Sequence, residues 1–266
     1  MTVGVDVGGS RIKLVRLDEG SVVERRQVEI TEDWLEGLAE SIKGFAPDPG
    51  PVGVAVAGLV DHRAGKLTWA PHLPGTDVPV QHRLEAELGV AVVVDNDANC
   101  AARAEAFGLA ADPMVVVMIG TGIGMGLWLA GDVYRGHGFA GEAGHMTVEP
   151  DGRRCRCGRR GCWETRVSGW RLAELDPERA DVLAEAGRWL GRGLFNLVTL
   201  LDPARVVVGG GVIAEHGEEL LACARRELER LADPHRPAPV LQRGRHGIWA
   251  GAVGAALLAD PVSSPR

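Results

Sequence analysis

Short runs of apolar residues with strand periodicity begin the chain. Val3 to Val7 and residues 12–17 predict two strands separated by the turn Gly8-Gly9-Ser10, and residues 22–30 predict a third strand. Glycine permits a tight reversal of the backbone, so the first two strands should form a hairpin with a glycine tip.

The next segment has the period of a helix. Trp34, Leu38 and Ile42 recur every four residues, and Thr31 is placed to cap the helix at its start. The proline-rich segment 47–51 should end it, because proline cannot continue a helix.

Two nearly continuous apolar runs follow, at residues 52–57 and 90–94. Such runs are typical of central strands that are covered on both faces. The second run leads directly into Asp95-Asn96-Asp97-Ala98-Asn99, which should begin a helix. Residues 114–130 then repeat the initial pattern of strand, glycine-rich turn (Gly120 to Gly126) and returning strand.

The repeated pattern predicts an α/β protein with two halves, each opening with a glycine-tipped hairpin, and a cleft between them. We expect a small N-terminal lobe at residues 1–109 and a larger C-terminal lobe at residues 110–247. The last helix, at about residues 248–260, should join the first lobe. This helix is rich in small residues, so it should pack closely against a neighbour.

Composition and charge exclude several classes of protein. The 266 residues are 45% hydrophobic and carry a net charge of −7, which allows a large core and argues against a general nucleic-acid binder. No apolar run reaches the length of a membrane span. The N-terminus reads as a strand rather than a charged leader, so we expect a cytoplasmic protein with no membrane partner.

Cysteine is concentrated in one stretch. Cys155, Cys157 and Cys162 lie within eight residues, and His145 precedes them. One imidazole and three thiolates make a complete tetrahedral set for Zn²⁺, which predicts a structural site with no position left for water. A reduced cysteine-rich loop or a disulfide are the alternatives, although cysteines separated by one residue are poorly placed to bridge each other.

Three glycine-rich turns stand at the ends of predicted strands, where backbone N–H groups can approach an anion closely. One such turn is more typical of a plain hairpin, but three in one chain favour a polyphosphate ligand. None fits the Walker pattern or the dinucleotide fingerprint. The expected nucleotide-binding residues are Asp6, Gly8, Gly9 and Ser10, then Gly120, Thr121 and Gly122, and finally Gly209 and Gly210.

Asp97 is the candidate general base, since it follows a buried strand and begins a helix, where a carboxylate can be held and aimed. In phosphoryl transfer from ATP, such a group accepts the hydroxyl proton as the oxygen attacks the γ-phosphate. The alternative role is a helix N-cap, which accounts poorly for four Asp and Asn residues in five positions. Asp6 could orient Mg²⁺ through water, and Lys13 could reach a phosphate or lie on a solvated face.

Taken together, the motifs resemble the ROK family of repressors, open reading frames and sugar kinases, within the actin-like ATPase superfamily. The resemblance implies a two-lobed, ribonuclease H-like fold, ATP with Mg²⁺, a structural Zn²⁺, and a homodimer or homotetramer. It rests on Asp6-Val-Gly-Gly-Ser10, Asn96-Asp-Ala-Asn99, Gly120-Thr-Gly-Ile-Gly124, Glu142-Ala-Gly-His145, Cys155-x-Cys-Gly-x-x-Gly-Cys-x-Glu164 and Gly209-Gly-Gly211.

The resemblance also implies roles for individual residues. Asp97 would be the catalytic base, and the sugar hydroxyls would be bound by Asn96, Asp97, Glu142, His145 and Glu164. His145 would serve zinc with one ring nitrogen and the sugar with the other. The implied reaction is phosphorylation of the C6 hydroxyl of a hexose by ATP, with glucose as the leading substrate.

Other functions stay open. N-acetylglucosamine, N-acetylmannosamine, fructose or mannose could be the substrate, because His72 stands where many sugar kinases of the family have asparagine. The family includes sugar-sensing repressors with an N-terminal winged helix, whereas here the first strand begins at residue 3. A non-catalytic sugar-binding protein is the third possibility, and the segment between Ser168 and Arg188, shorter than is typical of the family, is compatible with it.

Overall fold

The structure is a computed structural model that describes residues 1–109, 112–176, 179–235 and 237–260. In chain order, the strands are β1 (Thr2–Val7), β2 (Arg11–Asp18), β3 (Ser21–Glu29), β4 (Val52–Val56), β5 (Leu59–Asp61), β6 (Lys66–Trp69), β7 (Val92–Asn96), β8 (Met114–Ile119), β9 (Ile123–Leu129), β10 (Asp132–Val133), β11 (Arg205–Gly209) and β12 (Val240–Arg243).

The α-helices are α1 (Trp34–Phe45), α2 (Val80–Leu88), α3 (Asp97–Ala106), α4 (Glu164–Val167), α5 (Gly169–Leu175), α6 (Ala180–Leu201), α7 (Gly211–Leu231) and α8 (Ala250–Ala259). Short 3₁₀ helices cover Ala143–His145 and Gly247–Trp249. Within the described ranges, no helix has both the length and the apolar character needed to cross a bilayer.

The chain forms two compact units. The first contains Met1–Phe107, Asp132–Ala140 and the described residues from Trp249 onward. The second contains Gly108–Gly131 and Gly141–Ile248. The segment Asp132–Ala140 therefore packs with the N-terminal elements, although it lies among the second unit's residues in the sequence.

The sheet of the first unit has the strand order β3-β2-β1-β4-β7. Strands β1 and β2 form an antiparallel hairpin, and the amide of Gly8 closes its turn by donating to the carbonyl of Arg11 at 3.0 Å. Strands β4 and β7 run parallel to β1, and both central runs are largely buried. The predicted glycine-tipped hairpin and the two buried strands are confirmed.

Helix α8 packs closely against this sheet, as its small residues predict. A Cβ atom at Gly4 would lie 2.0 Å from the carbonyl oxygen of Ala252, and one at Gly53 would lie 1.7 Å from that of Ala255. Only glycine permits these approaches, because both distances are far below van der Waals contact. The close packing fixes β1 and β4 against the helix.

The second unit repeats the hairpin. Four strands of its sheet follow the order β9-β8-β11-β12, with β8 and β9 antiparallel and β11 parallel to β8. The amide of Gly120 donates to the carbonyl of Gly122 at 3.0 Å, so the turn is compact. It is shorter than the sequence suggested, because Gly124 and Gly126 already belong to β9.

Two local expectations need correction. Thr31 does not cap α1: the helix begins at Trp34, and the Thr31 hydroxyl donates to the carbonyl of Asp33 at 3.2 Å. The hairpin of β5 and β6 was not predicted, because strands of three and four residues are too short to show a period. Its turn is held by Asp61, whose carboxylate accepts hydrogen bonds from the amides of Arg63 and Ala64.

Candidate functional site

The polar residues at the end of β7 and the start of α3 have different roles. Asn96 is the N-cap, since its Oδ1 accepts hydrogen bonds from the amides of Ala98 at 2.9 Å and Asn99 at 3.2 Å. The N-cap role proposed as the alternative for Asp97 is thus filled by its neighbour. Asp97 itself is half-exposed in the first helical turn, and its Oδ1 accepts from the amide of Ala98 at 2.9 Å.

Asn96 has little hydrogen-bonding capacity left for a ligand. Its oxygen serves the helix, and its Nδ2 donates to the carbonyl of Gly58 at 3.0 Å. One N–H of the amide is therefore left without a partner in the described part of the chain. Asn96 can offer a ligand a single donor in a fixed direction.

Asp95 and Arg135 were missed by the sequence reasoning. The guanidinium of Arg135 donates from Nε at 2.9 Å and from Nη2 at 2.7 Å to Oδ2 of Asp95, which is buried. The pKa of His62 is lowered, first by burial and second by the positive charge of the same guanidinium. The only sequence signal was an acidic residue at the end of an apolar strand, where an unpaired charge would be costly.

At the first glycine turn, the side chain of Lys13 forms an ion pair with Asp6 and does not lie on a solvated face. Its Nζ is 2.7 Å from Oδ2 of Asp6, and both side chains are largely buried. The two residues are register partners on β1 and β2. His72 also packs on this turn, since a Cβ at Gly9 would lie 3.0 Å from the Cβ of His72. The turn thus combines glycine backbone amides with a paired acid and base.

In the second unit, the chain from Met146 to Trp163 folds back on itself as a compact knuckle. The amide of Val148 donates to the carbonyl of Gly161 at 2.8 Å, and that of Trp163 donates to the carbonyl of Met146 at 2.9 Å. Gly161 has a φ of +67°, and a Cβ there would lie 1.6 Å from the carbonyl oxygen of Glu149. Only glycine fits this position.

The knuckle brings the four predicted metal ligands together. The ligand atoms of His145, Cys155, Cys157 and Cys162 all lie within 4.8 Å of one another. Nδ1 of His145 is 3.7 Å from Sγ of Cys155, and the sulfur atoms of Cys157 and Cys162 are 3.6 Å apart. In a zinc tetrahedron with Zn–S bonds of about 2.3 Å, the sulfur atoms are roughly 3.8 Å apart. The four residues therefore fit a zinc ion.

The three cysteines differ in how readily they ionise in the absence of a cation. Burial, followed by a hydrogen bond to Glu164, raises the pKa of Cys155 well above its ordinary value, and burial also raises that of Cys162. Burial opposes ionisation of Cys157 as well, but hydrogen bonds from Arg159 outweigh it and lower its pKa to about 6. Three thiolates can coexist here only if a cation compensates their charge.

The two nitrogens of His145 face different partners. Nδ1 faces the cysteines, whereas Nε2 lies 3.9 Å from Oε2 of Glu142. Glu164 is buried beside the same cluster, with its Oε1 3.7 Å from Nδ1 of His145 and 2.9 Å from Sγ of Cys155. Burial raises the pKa of Glu142, while the charge of His145 opposes the shift. Two carboxyl groups and one imidazole thus lie together at the edge of the cluster of predicted metal ligands.

The second glycine turn is attached to the residues that follow the knuckle. The amides of Gly169 and Trp170 donate to the carbonyls of Gly120 at 2.9 Å and Thr121 at 3.2 Å. A Cβ at Gly122 would lie 3.0 Å from Oε2 of Glu164, so this carboxylate reaches both the cluster and the turn. The position of the turn therefore depends on the knuckle.

The third glycine turn lies beside the second. Gly210 has a φ of +93° and connects β11 to α7, and a Cβ there would lie 2.5 Å from the carbonyl of Ile119. Gly209 is packed against Sδ of Met118 in the same way. Of the predicted site residues, Asp6, Gly8, Gly9, Ser10, Asn96 and Asp97 belong to the first unit, and all the others belong to the second.

Comparisons with known proteins agree on one family. The model described as the ROK family matches residues 2–176 and 170–261. The glucokinase of Streptomyces coelicolor is 32% identical, over 98% of this chain and 99% of that protein. A crystal structure of a ROK family glucokinase from Streptomyces griseus in complex with glucose and AMPPNP has a TM-score of 0.88 at 32% identity, covering 97% of this chain and 98% of that one. The structure of a ROK hexokinase from Thermus thermophilus has a TM-score of 0.79 at 33% identity, covering 97% of each chain.

Proposed function

This chain belongs to the ROK family, and from that premise we propose that it is a hexose kinase of glucokinase type, which transfers the γ-phosphate of ATP to the C6 hydroxyl of glucose. The observation that carries the proposal is the similarity to glucokinases over nearly the full length of both chains. The actin-like α/β fold, with its two glycine-tipped hairpins, agrees with a nucleotide-dependent enzyme.

Asp97 is the proposed general base. Its carboxylate accepts the proton of the C6 hydroxyl while the hydroxyl oxygen forms a bond to the γ-phosphorus and the bond from phosphorus to the β,γ-bridging oxygen breaks, so that ADP leaves. The Asn96 cap keeps the start of α3 rigid, which holds the base in one place. Asn96 offers its remaining N–H to a sugar hydroxyl.

The proposed sugar ligands of the second unit are Glu142, His145 and Glu164. Nε2 of His145 points away from the cysteines, so it remains available for a hydroxyl group when Nδ1 serves the metal. The two carboxylates can each accept hydrogen bonds from hydroxyl groups. A bound zinc would supply structural rigidity only, because the four protein ligands complete its coordination.

The proposed phosphate contacts are backbone amides of the three glycine turns other than those of Gly8 and Gly120, which close their turns. At the first turn, Lys13 supplies positive charge next to Asp6, and Gly8 and Gly9 add no side chains of their own, while His72 packs beside Gly9. Mg²⁺ bound with ATP would neutralise the charge that develops on the β- and γ-phosphates. Asp6 would orient it through water.

The assembly and the location are further parts of the proposal. The family resemblance supports a homodimer or homotetramer, which light scattering of the purified protein measures directly. The cysteines of the described chain are all free, which agrees with a cytoplasmic protein, since disulfides are rare in that compartment.

A substrate panel tests the function. ATP-dependent phosphate transfer is measured with glucose, mannose, fructose, N-acetylglucosamine and N-acetylmannosamine. We expect glucose to give the highest kcat/KM. A higher value for an N-acetylated sugar would overturn the substrate but keep the kinase. Binding of a sugar, seen as a raised melting temperature, without any transfer would instead favour a sugar-binding or sensing protein.

A further inference from the structure

We propose that Arg135 is a positioning residue for the start of α3, where it holds Asn96 and Asp97 in place through the carboxylate of Asp95. The inference rests on the proposed function, because it takes Asp97 as the general base. Arg135 does not need to touch the substrate for this role. It acts on the strand end from which the base projects.

The two oxygen atoms of the Asp95 carboxylate have different hydrogen-bond partners. Its Oδ2 accepts both hydrogen bonds from Arg135, at 2.9 and 2.7 Å. Its Oδ1 accepts from the backbone amide of Asn96 at 2.8 Å and from Nδ2 of Asn99 at 3.0 Å. One oxygen is therefore held by Arg135, and the other holds the first turn of the helix.

Burial makes this arrangement depend on the arginine. The side chain of Asp95 is 3% exposed and that of Arg135 is 13% exposed, so neither charge is well solvated. Without the guanidinium, the carboxylate would be a buried, uncompensated charge that must turn towards water or take up a proton. Either response disturbs the hydrogen bond to the amide of Asn96, one residue before the base. Small displacements of a catalytic group lower the reaction rate strongly.

The segment that carries Arg135 is held at the end of β7 through Asp95 and at a second point on α3. Nη2 of Arg103, near the end of α3, lies 2.6 Å from Oδ1 of Asp132. Arg135 also donates from Nη1 to the carbonyl of Val133 at 3.1 Å, which orients the guanidinium towards Asp95. Arg103 and Arg135 are thus two largely buried arginines in ion pairs with this segment: Arg103 joins it to α3, and Arg135 joins it to the end of β7. They differ in that only Arg135 reaches the residue beside the cap.

This difference provides a matched control for the test. Arg135→Gln and Arg103→Gln each remove one buried guanidinium, and the melting temperatures of both variants report the loss of stability. We expect Arg135→Gln to lower kcat on the order of 100-fold, with the KM for ATP changed by less than about threefold. We expect Arg103→Gln to lower kcat by less than about fivefold at a similar loss of stability.

A paired substitution tests the route through Asp95. In the double variant Asp95→Asn and Arg135→Gln, the new amides can hydrogen-bond to each other without charge, while Oδ1 of residue 95 still accepts from Asn96. We expect kcat to recover at least about tenfold relative to Arg135→Gln. Equal losses of kcat in Arg135→Gln and Arg103→Gln, or no recovery in the double variant, would overturn the inference.

If the wild-type protein transfers no phosphate, the proposed function fails. The positioning role of Arg135 is then tested by NMR, independently of activity. The backbone amides of Ala98 and Asn99, which donate to the Asn96 cap, should shift in Arg135→Gln and stay in place in Arg103→Gln. Unchanged amide signals in Arg135→Gln would show that Arg135 does not hold the start of α3.

Discussion

The sulfur atoms of Cys157 and Cys162 lie 3.6 Å apart. A disulfide needs about 2.05 Å between its sulfur atoms, whereas two thiolates on one zinc ion are roughly 3.8 Å apart. The distance therefore matches shared coordination and not a covalent bond. Since His145 and Cys155 complete the same cluster, the knuckle is built around a metal-sized space.

Substitution of one ligand should release the metal. In Cys157→Ser the tetrahedral set is incomplete, so we expect the zinc content to fall from about one per chain to well below that value. The melting temperature should fall by about 5–15 °C, because binding of the metal contributes to folding. Glucose affinity should also fall, since His145 and Glu164 lose their support. Elemental analysis, thermal melting and calorimetric glucose titration measure the three effects.

Cys223→Ser is the matched control for this prediction. Cys223 is buried on α7, outside the cluster, and its sulfur accepts a hydrogen bond from Arg226 that a serine hydroxyl can also accept. We expect this variant to keep its zinc and its glucose affinity. A Cys157→Ser protein with unchanged zinc content and melting temperature would show that the metal assignment is wrong.

Trp170 should matter for ATP more than for glucose. Its ring lies close to the guanidinium groups of Arg156, 4.8 Å from the centroid, and Arg153, 5.3 Å from it, and its amide donates to the carbonyl of Thr121. Trp170→Leu removes the ring, which should loosen the second glycine turn. Because each such cation–π contact contributes about 0.5–1 kcal/mol, we expect the KM for ATP to rise about three- to tenfold. The KM for glucose should change by less than about twofold.

A second tryptophan supplies the comparison. Trp189 on α6 also lies close to two arginines, Arg166 and Arg192, each with its guanidinium 4.7 Å from the ring centroid. It is not among the residues that hold the glycine turn. Steady-state kinetics of Trp189→Leu should show an unchanged KM for ATP. The same increase in both variants would mean that Trp170 has no special role in nucleotide binding.

Glu227 should give the fold a dependence on pH. Hydrogen bonds from Arg230 and Arg192 outweigh burial and lower its pKa from 4.5 to about 2. The folded state therefore binds this proton less tightly than the unfolded chain does. The resulting stability is fully present above about pH 4.5 and is lost as the pH falls towards 2.

The Glu227→Gln variant measures this contribution. At pH 7 we expect the free energy of unfolding to fall by about 1–2 kcal/mol, a modest value because both arginines are partly exposed. The difference from wild type should shrink by about half when urea unfolding is repeated near pH 3. Glu218→Gln, at an exposed position of the same helix, should have little effect at either pH. A difference that stays constant with pH would exclude a shifted pKa as its cause.

The sequence alone was sufficient to predict those features whose signal lies within a short stretch of the chain. The metal ligands were predictable because cysteines and a histidine at a fixed spacing have few other uses, and the hairpins were predictable because glycine turns separate apolar runs. The close packing of α8 followed from its composition, since a helix of alanine and glycine has little else to bury.

Other features depend on pairs of residues that are distant in the sequence. Asp95 and Arg135 are 40 residues apart, and no periodicity or spacing links an arginine after β10 with the end of β7. The cap of α1 was misassigned because several polar residues precede Trp34, and the tertiary contacts of the helix decide where it begins. The packing of Asp132–Ala140 with the first unit also joins residues that are distant in the sequence, and no local pattern indicates it.

The most direct test of the account compares wild type with Asp97→Asn in a single experiment that measures both glucose binding and phosphate transfer from ATP. The side-chain amide introduced by this substitution can still accept the hydrogen bond from Ala98, so the helix start should remain folded. We expect glucose affinity within about threefold of wild type and a kcat lower by about 10²–10⁴-fold, because the variant cannot accept the hydroxyl proton. Turnover close to wild type in the Asp97→Asn protein would contradict the assignment of Asp97 as the base.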